Sequence, residues 1–457
     1  MAQPEEHDIM NIKNLHKLFL QSNGVTTDSR AIKGGEIFIA LKGENFDGNA
    51  YALKALESGA AYAVVDADSE AAKSSDKRII IVENTLIALQ ALAREHRSAA
   101  RVAGKPLQVI GLTGTNGKTT TKELIRSVLS TKYTLTATEG NLNNSIGVPL
   151  TLLKINEATE LAVVEMGASH PGDIKELVDI ALPDFGLITN VGKAHLLGFG
   201  SFEGVKNTKG ELYDYLSANA GKVLLNLDNP HLVEMAQQRG FNTSAGNCTG
   251  YGLNYSGAEV LPSSAEHPFL RIRLTNGEIL ETQLVGSYNA DNVMAAIAVG
   301  AEFEISSEEA AAAIAAYSPS NNRSQMTKTE ANTLIVDAYN ANPTSMEAAL
   351  DNFTNVHASK KIAMLGDMRE LGEESEKEHI RIAEKALGLG LSKVIFVGEE
   401  FGKILSGEFA KTSSSEWEHY ADSQSLAEAV EKKPICEAVI LIKGSRGIKM
   451  ENVICKL

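Results

Sequence analysis

The chain has 457 residues, 43% of them hydrophobic, and this length and composition indicate two or three globular α/β domains rather than a disordered protein. With 43 basic and 58 acidic residues the formal charge is −15, which disfavours binding to nucleic acid or to an anionic membrane surface. Three cysteines without metal-ligand spacing exclude a disulfide framework, and no apolar run approaches the ~18 residues of a membrane span. The N-terminus lacks an apolar targeting segment, so we expect a cytoplasmic protein.

The first block of the chain, residues 1–103, alternates strand-like runs with an alanine-rich stretch at 51–58 that predicts a helix. Three runs rich in apolar residues predict strands: 36–41, 61–65 and 78–82. A basic segment with a glycine, residues 101–106, predicts a hinge into the second block, residues 104–319.

The second block opens on an apolar strand, a glycine-containing bend and a Gly-Lys-Thr sequence that begins a helix. Glycines in the bend let backbone N–H groups approach a polyphosphate, Lys118 can reach its terminal oxygens, and the Thr119 hydroxyl can bind Mg²⁺. Leu112 stands where the general P-loop pattern has a glycine, but the strand and helix on either side favour a nucleoside triphosphate site over a structural turn. The residues predicted to contact the nucleotide here are Gly114, Thr115, Asn116, Gly117, Lys118, Thr119 and Thr120.

Two further apolar runs of the second block end in polar side chains. Residues 161–164 lead into Glu165, and residues 185–188 lead into a loop that carries His195. Because ligands of parallel α/β sheets lie at the carboxyl ends of the strands, we expect these residues to converge on the edge that carries Thr119. Glu165 is then either a Mg²⁺ ligand, which we favour, or an ordinary strand-end carboxylate. Taken alone, His195 is better interpreted as a loop hydrogen-bond partner than as a metal ligand.

The third block, residues 320–457, alternates apolar runs with helical segments, which is typical of βαβ units on a parallel sheet. The predicted strands are 333–336, 361–365, 393–397 and 438–442. The fold class predicted for the whole chain is α/β in three domains, with a central P-loop parallel-sheet domain and a C-terminal Rossmann-like domain.

Motifs spread over the whole chain resemble those of the Mur ligase family, and specifically the branch that adds D-alanyl-D-alanine to UDP-N-acetylmuramoyl-tripeptide. The P-loop of this family also lacks the early glycine of the general pattern, so a leucine at position 112 is expected in a member of the family. The stretches that carry the resemblance are 113–120, 139–149, 337–346, 366–372 and 443–446. Of these, Asp337-Ala-Tyr-Asn-Ala-Asn-Pro-Thr-Ser-Met346 is the most specific to that branch.

The resemblance implies a catalytic set of Lys118, Glu165, His195 and Lys209 and a Mg²⁺ ligand set of Thr119, Glu165, His195 and Lys209. Lys209 matches the lysine that these ligases carbamylate with CO₂, a change that converts a cation into an oxygen ligand. The neighbouring Lys206 is a competing candidate, and a solvated helix lysine is the alternative reading of Lys209.

The resemblance also implies which other residues bind ATP. Asn289 and Asn292 match the adenine-contacting segment, in which Tyr288 replaces a histidine common in the family. Arg323 matches a linker arginine that meets the triphosphate, although an interdomain ion pair explains an arginine there equally well. Asp337 matches a carboxylate on the nucleotide side.

The remaining implied residues bind the two other substrates. The first block resembles a uridine-diphosphate-binding domain, where Ser29 and Arg30 can hold a diphosphate, although turn chemistry explains much of the similarity there. The third block would position the incoming dipeptide. The substrate-binding residues are Ser29, Arg30, Asn141, Asn144, Asn340, Asn342, Asp367, Lys443 and Arg446.

The implied activity is an ATP- and Mg²⁺-dependent amide ligase of peptidoglycan precursor synthesis, acting through an acyl phosphate, with consequences for cell-wall biogenesis, cell shape and cell division. The expected partners are the two small-molecule substrates, with no nucleic acid and no membrane span, and we expect a monomer. Two alternatives remain at this point: a sibling ligase that adds another amino acid or polyglutamate, and a nucleotide-gated binding protein without ligase activity.

Overall fold

The structure is a computed structural model that describes residues 10–264, 267–319, 323, 325–405 and 415–457. Its described residues form three α/β units, each built on one mainly parallel sheet. The prediction of an α/β fold with parallel sheets is therefore confirmed. No helix among these residues is long and apolar enough to cross a membrane.

The first unit contains a four-stranded parallel sheet. Its strands, in sheet order, are Val25–Thr26, Ile37–Ile39, Tyr62–Asp66 and Ile79–Val82. Its helices are Ile12–Phe19, Gly48–Tyr51, Ala52–Glu57, Glu70–Lys73 and Thr85–Ala99. Two short hairpins complete it: Lys42–Gly43 with Phe46–Asp47, and Arg101–Val102 with Lys105–Pro106 at the predicted hinge. All three predicted strands and the predicted helix are confirmed to within one or two residues.

The central unit contains a six-stranded, all-parallel sheet. In sheet order its strands are Leu135–Ala137, Leu161–Glu165, Gln108–Thr113, Phe185–Ile188, Lys222–Asn226 and Cys248–Tyr251. Its α-helices are Lys118–Leu129, Gly147–Leu152, Asp173–Ala181, Leu196–Phe199, Phe202–Ala218, Pro230–Gln237, Leu253–Ser256, Ala290–Glu302 and Ser307–Ala316. Two 3-10 turns lie at Thr243–Ala245 and Ser287–Asn289.

The central unit also carries an antiparallel sheet that the sequence did not predict. Its three strands are Glu259–Leu261, Arg271–Arg273 and Ile279–Glu281. Strands Arg271–Arg273 and Ile279–Glu281 each bury one residue, and Glu259–Leu261 has only two partly buried residues, so their apolar runs are too short to stand out.

The third unit contains a six-stranded sheet with one antiparallel edge strand, Gln325–Lys328. The following strands, in sheet order, are parallel: Asn332–Asp337, Ala438–Lys443, Lys361–Gly366, Lys393–Val397 and Trp417–Tyr420. Its helices are Pro343–Thr354, Gly372–Glu374, Ser375–Gly388, Glu399–Ile404, Ser423–Lys432, Arg446–Ile448 and Glu451–Ile454. The four predicted strands of this block are confirmed.

One apolar core joins the first and central units. Leu89 and Leu92 of helix Thr85–Ala99 are fully buried in the same cluster as Val148, Ile174 and Val178 of the central unit. The third unit has separate cores on the two faces of its sheet. We therefore expect the first two units to behave as one body and the third as another.

A buried histidine pair lies within this joint core. Nε2 of His96 is 2.8 Å from the carbonyl oxygen of Ile155, and its Nδ1 is 3.1 Å from Nε2 of His16. Because a carbonyl only accepts, His96 Nε2 must donate, and His16 must then donate to His96 Nδ1. Burial lowers the pKa of both rings, partly offset at His16 by Glu95 and at His96 by the Ile155 carbonyl.

We expect this pair to make stability depend on pH. A depressed pKa means that the unfolded chain takes up protons first, so stability is complete above the ordinary histidine pKa of about 6.5 and is lost as the pH falls below it. Between pH 7 and pH 5 the thermal midpoint of the wild type should fall by about 2–4 °C more than that of His96→Met. His231→Gln, which removes an exposed histidine, is the control. An equal fall in wild type and His96→Met would contradict this interpretation.

Candidate functional site

The phosphate loop lies where the sequence predicts it, between strand Gln108–Thr113 and helix Lys118–Leu129. Gly114 and Gly117 have φ angles of 147° and 78°, which disfavour other residues. A Cβ atom on Gly114 would lie 2.0 Å from Thr189 Oγ1, and one on Gly117 would lie 2.6 Å from Asn292 Oδ1. Both glycines are therefore required by close packing as well as by backbone conformation.

Hydrogen bonds from the neighbouring strand hold the loop in place. The Asn116 carbonyl accepts from Thr189 Oγ1 at 2.6 Å and from Asn190 Nδ2 at 3.0 Å, and the Asn116 N–H donates to Asn190 Oδ1 at 3.0 Å. The Gly192 N–H donates to Thr115 Oγ1 at 3.0 Å. The loop is thus preorganised by the strand that ends next to it.

The side chain of Lys118 folds back onto the loop. Its ammonium donates to the carbonyl oxygens of Gly114 at 2.7 Å and Thr115 at 3.2 Å. Desolvation lowers the pKa of Lys118, and the nearby positive charge of Arg323 lowers it further, partly offset by Glu165. Because Lys118 and Arg323 are both cations that line the same cavity, an anion bound between them would be favoured.

Glu165 is buried at the edge of the central sheet, where strand pairing sets it beside Leu112. Its Oε2 accepts from the Thr119 hydroxyl at 2.9 Å, and its Oε1 accepts from Asn143 Nδ2 at 2.8 Å. Its backbone N–H donates to Thr138 Oγ1 at 3.0 Å. The predicted convergence of Glu165 with Thr119 is therefore observed.

His195 lies at the contact between the central and third units. Its Nδ1 contacts the carboxylate of Glu370, and the backbone of Leu197 donates to the Glu370 carbonyl at 3.3 Å. His195 and Glu370 both have positive φ angles, 51° and 65°, which non-glycine residues rarely adopt. Burial lowers the pKa of His195, an effect that Glu370 opposes and that the charges of Lys118 and Lys209 reinforce.

Lys209 is one of the largest fully buried side chains, on helix Phe202–Ala218. Its ammonium lies 5.4 Å from the ring centroid of Phe199, and the described residues place no carboxylate within ion-pair distance. Burial and the charge of Lys118 lower its pKa well below that of an ordinary lysine. Lys206, by contrast, pairs with Glu203 and Glu234, and these partners raise its pKa.

A cavity of about 1030 Å³ separates the central unit from the third unit. It brings together most of the predicted site residues. Those that line it are Thr115, Asn116, Gly117, Lys118, Thr120, Asn141, Asn144, Glu165, His195, Asn289, Asn292, Arg323, Asp337, Asn340, Asn342, Lys443 and Arg446. Gly114, Thr119 and Lys209 do not line it but adjoin residues that do.

Three predicted residues lie away from the cavity. Ser29 and Arg30 belong to the first unit, where Arg30 pairs with Asp28 of its own turn at 2.8 Å. The Asp367 carboxylate accepts from the backbone N–H groups of Glu400 at 2.9 Å and Phe401 at 3.0 Å. Asp367 therefore caps helix Glu399–Ile404, and its geometry gives no support to the predicted dipeptide contact.

The two asparagines predicted to read adenine are engaged with protein atoms. Asn289 Nδ2 donates to the Val285 carbonyl at 2.8 Å, and Asn292 Nδ2 donates to Asn289 Oδ1 at 2.9 Å. Asn292 Oδ1 accepts from the Thr121 hydroxyl at 2.9 Å. Their observed role is to anchor the helix that follows the phosphate loop, and adenine contact stays a prediction.

The third unit contributes a polar wall to the cavity. Lys443 is buried and pairs with Asp337, its register partner on the adjacent strand. Asn342 caps helix Pro343–Thr354 and donates to Asn116 Oδ1 of the phosphate loop at 2.7 Å. This hydrogen bond joins two residues that are 226 positions apart and closes the cavity on one side.

The guanidinium of Arg323 lies against an aromatic ring, and no ion pair of Arg323 occurs among the described residues, so its contact with the triphosphate stays a prediction. Its guanidinium carbon lies 3.6 Å from the ring centroid of Tyr339, and its buried Nε has no hydrogen-bond partner among the described residues. The flanking residues Asn322 and Ser324 of the predicted linker motif lie outside the described residues.

Sequence reasoning missed several residues that shape the cavity: Asn143, Asn190, Tyr339, Arg369 and Glu370. Asn143, Tyr339, Arg369 and Glu370 lie inside motifs that carried the resemblance, and Asn190 comes two residues after a predicted strand, so position alone could have indicated all five. The contact between Glu370 and His195 was not identifiable from the sequence, because it joins two different units.

Comparisons with known proteins agree with this geometry. Three family patterns match: "Mur ligase family, catalytic domain" over residues 21–97, "Mur ligase middle domain" over 112–300 and "Mur ligase, glutamate ligase domain" over 322–446. A UDP-N-acetylmuramoyl-tripeptide--D-alanyl-D-alanine ligase of Bacillus subtilis (strain 168) is 36% identical, covering 94% of this chain and 92% of the relative. The enzyme of that name from Escherichia coli (strain K12) is 33% identical, covering 98% and 96%.

Solved structures of enzymes with the same fold also match this chain over nearly its whole length. MurF from Acinetobacter baumannii superposes with a TM-score of 0.80 at 27% identity, covering 98% of this chain and 99% of the other. MurF ligase from Thermotoga maritima in complex with ADP superposes with a TM-score of 0.79 at 25% identity, covering 96% and 97%. The phosphate loop, the three-unit architecture and these matches over nearly the whole length show that the chain belongs to the Mur ligase family.

Proposed function

We propose that this chain is an ATP-dependent ligase that joins D-alanyl-D-alanine to UDP-N-acetylmuramoyl-tripeptide in peptidoglycan precursor synthesis. Relatives that carry this name match it over nearly the whole length. The observation that carries the proposal is the single cavity in which the phosphate loop and Glu165 face the polar wall of the third unit. Such a cavity can hold a nucleotide and an acceptor side by side.

The proposed reaction activates a carboxylate. A carboxylate oxygen of the tripeptide attacks the γ-phosphorus of ATP, which breaks the bond to ADP and forms an acyl phosphate. The dipeptide amine then attacks the acyl carbon, loses a proton, and phosphate departs with the bonding electron pair. Lys118 would exchange its bonds to the loop carbonyls for bonds to phosphate oxygens, which offsets the repulsion between two anions. Contact between the third unit and the loop would exclude water from the acyl phosphate.

The residues present fit a Mg²⁺ ion bound together with the nucleotide. Thr119 and Glu165 already set a hydroxyl and a carboxylate oxygen 2.9 Å apart, and both are hard ligands that Mg²⁺ prefers. No group of three or more His, Cys, Asp or Glu in the described residues could hold a metal alone, so phosphate oxygens and water would complete the shell, as is usual for Mg²⁺. When bound, the ion would neutralise charge on the triphosphate.

We propose that Lys209 carries a carbamate and, with His195, helps to hold a second ion. The lowered pKa supports this, since only the neutral amine attacks CO₂, and the attack releases one proton. Its burial also removes the alternative of a solvated helix lysine.

We expect Lys209→Ala to lower kcat about 100-fold, because an oxygen ligand is lost, and formate or acetate to restore part of it. Wild-type protein equilibrated with ¹³C-bicarbonate should show a carbamate carbon signal that the variant lacks. Lys206→Ala, on the same helix but in a residue that is ion-paired with Glu203 and Glu234, is the control. Full activity in Lys209→Ala, or wild-type protein without the signal, would contradict the carbamate.

We further propose three functional units: residues 1–103 for the uridine-diphosphate part of the substrate, 104–319 for ATP and 320–457 for the dipeptide. Each of the three family patterns falls within one of these ranges. Ser29 and Arg30 remain the proposed diphosphate contacts, with Arg30 exposed for that purpose. We place the reaction in the cytoplasm, where ATP is supplied, and propose a monomer.

The proposal is tested by incubating the protein with ATP, Mg²⁺, UDP-muramoyl-tripeptide and D-Ala-D-Ala. ADP and phosphate should appear only when all three substrates are present. Free glutamate and a diamino acid serve as parallel acceptors, and preference for either would indicate a sibling ligase. ADP release that ignores the dipeptide would instead favour a nucleotide-gated binding protein.

A further inference from the structure

Lys122 is a buried cation that the proposed reaction does not use. It lies on helix Lys118–Leu129, one turn after Thr119, and is among the largest fully buried side chains. It does not line the cavity, so it is not placed to touch a nucleotide there. Burying an ammonium group is costly unless the group is paired and hydrogen-bonded. The partners of Lys122 therefore indicate what the side chain does.

Two contacts compensate the charge of Lys122. Its ammonium donates to the carbonyl oxygen of Thr138 at 2.6 Å and lies 2.8 Å from Oε1 of the adjacent Glu123. A buried ion pair adds little net stability, because the cost of desolvation offsets the Coulomb attraction. The pair with Glu123 is also local, whereas the bond to Thr138 crosses from the helix to the central sheet. The bond to Thr138 is therefore the contact through which Lys122 can affect the site.

Thr138 directly follows the edge strand Leu135–Ala137 of the central sheet. Its N–H donates to the Val163 carbonyl at 3.0 Å, which extends the parallel ladder by one bond. A regular ladder would next pair the Glu165 N–H with the Thr138 carbonyl. That carbonyl accepts from Lys122 instead, and the Glu165 N–H donates to the Thr138 hydroxyl at 3.0 Å. The ladder thus departs from regular pairing at Glu165.

Two hydrogen-bonded connections join the helix to the end of strand Leu161–Glu165. The first is direct, from the Thr119 hydroxyl to Glu165 Oε2 at 2.9 Å. The second runs from Lys122 through Thr138 to the Glu165 backbone. A Mg²⁺ ion held by Thr119 and Glu165 would alter the first connection, because both oxygens would turn to the ion. The second connection involves neither of these oxygens, so it can keep the two ligands in place while the ion binds.

We propose that Lys122 is a positioning residue for the magnesium site, acting through Thr138 on Glu165. This inference rests on the proposed function, in which Thr119 and Glu165 bind Mg²⁺ together with the nucleotide. Groups that orient a metal ligand without touching the ion typically contribute about 10- to 100-fold to metal affinity. An ammonium group suits this task, because its charge strengthens the hydrogen bond to the Thr138 carbonyl.

The test is titration calorimetry of ADP at several Mg²⁺ concentrations in wild type, Lys122→Met and Thr138→Val. Methionine lacks the donor on a side chain of similar length, and valine lacks only the hydroxyl of threonine. We expect each substitution to raise the Mg²⁺ concentration needed for half-maximal ADP binding about tenfold. Binding of ADP without Mg²⁺ should equal that of the wild type, because neither residue lines the cavity. The double variant should need no more Mg²⁺ than Thr138→Val, because both substitutions break the same connection.

Val128→Ala is the control for lost stability, because Val128 is fully buried on the same helix. It should lower the thermal midpoint of unfolding and leave the Mg²⁺ requirement unchanged. Thr138→Val keeps the buried charge, so it tests the connection even if Lys122→Met is too unstable to purify.

A wild-type Mg²⁺ requirement in either variant would overturn this inference alone. Effects that multiply in the double variant would also overturn it, since Lys122 would then act by another route. If ADP binding by the wild type did not depend on Mg²⁺ at all, the proposed magnesium site would fail together with this inference.

Discussion

Lys118→Met should lower kcat by about 1000-fold or more, with little change in the thermal midpoint of unfolding. The ammonium makes its observed bonds only to the loop carbonyls of Gly114 and Thr115, and Thr115 lines the cavity, where its carbonyl can bond to water instead. In the reaction it would be the one protein cation of the phosphate loop next to the transferred phosphoryl group, where preorganised charge has its largest effect. The measurement is ADP release under saturating substrates, with calorimetry to follow unfolding.

The control for Lys118→Met is Lys132→Met, which removes a lysine just beyond the end of the same helix. That variant should keep its turnover. A Lys118→Met protein that unfolds at the wild-type temperature and turns over within tenfold of wild type would contradict the assignment of the phosphate loop.

Glu165→Gln is the second large effect, with an expected loss of about 1000-fold in kcat. Glutamine keeps the shape and can still accept from the Thr119 hydroxyl or from Asn143, but it lacks the negative charge that favours Mg²⁺. The Mg²⁺ concentration needed for half-maximal ADP binding should rise at least about tenfold. Titration calorimetry of ADP at several Mg²⁺ concentrations measures this without turnover.

Glu302→Gln provides the matched control, because Glu302 is partly buried at the other end of the central sheet and pairs with Lys222. Its Mg²⁺ dependence should equal that of the wild type. If Glu165→Gln bound ADP with an unaltered Mg²⁺ requirement, the carboxylate would have only a structural role beside Thr119.

The two interfaces between units differ in chemistry. The first and central units share an extended apolar core. The third unit takes only Val285 of the central unit into its own buried core and otherwise meets that unit through polar contacts: Asn116 with Asn342, His195 with Glu370, and Lys193 with the buried Glu378 at 2.8 Å. Polar contacts exchange readily with water, so we expect the third unit to open for substrate entry and product release.

The sequence predicted most of the parallel strands because buried parallel strands are continuous apolar runs between glycine-rich or polar ends. The run 161–164 is an example, since it placed Glu165 at a strand end and therefore beside the phosphate loop. The resemblance identified Lys209 as a site residue. The sequence pattern of its helix alone could not show which of Lys206 and Lys209 has that role. In the structure the two lysines differ, because Lys209 is buried without an ion pair among the described residues whereas Lys206 pairs with Glu234.

Other features depend on contacts between distant parts of the chain. Asp367 comes two residues after the predicted strand 361–365, near the edge where ligands bind, yet its carboxylate accepts from the N–H groups of a helix that begins 32 residues later. The bond between Asn116 and Asn342 and the contact between His195 and Glu370 depend on how two units meet, which no local pattern encodes. The edge strand Gln325–Lys328 is antiparallel because only residues 329–331 join it to strand Asn332–Asp337, and so short a connection forms a hairpin.

The most direct test of the central claim follows one oxygen atom. Tripeptide substrate labelled with ¹⁸O in the reacting carboxylate is turned over with ATP and D-Ala-D-Ala, and the released phosphate is analysed by mass spectrometry. An acyl phosphate predicts one ¹⁸O atom in each phosphate formed, since the carboxylate oxygen leaves with phosphorus. Phosphate that contains no ¹⁸O while the amide product accumulates would contradict activation of the carboxylate by ATP at this site.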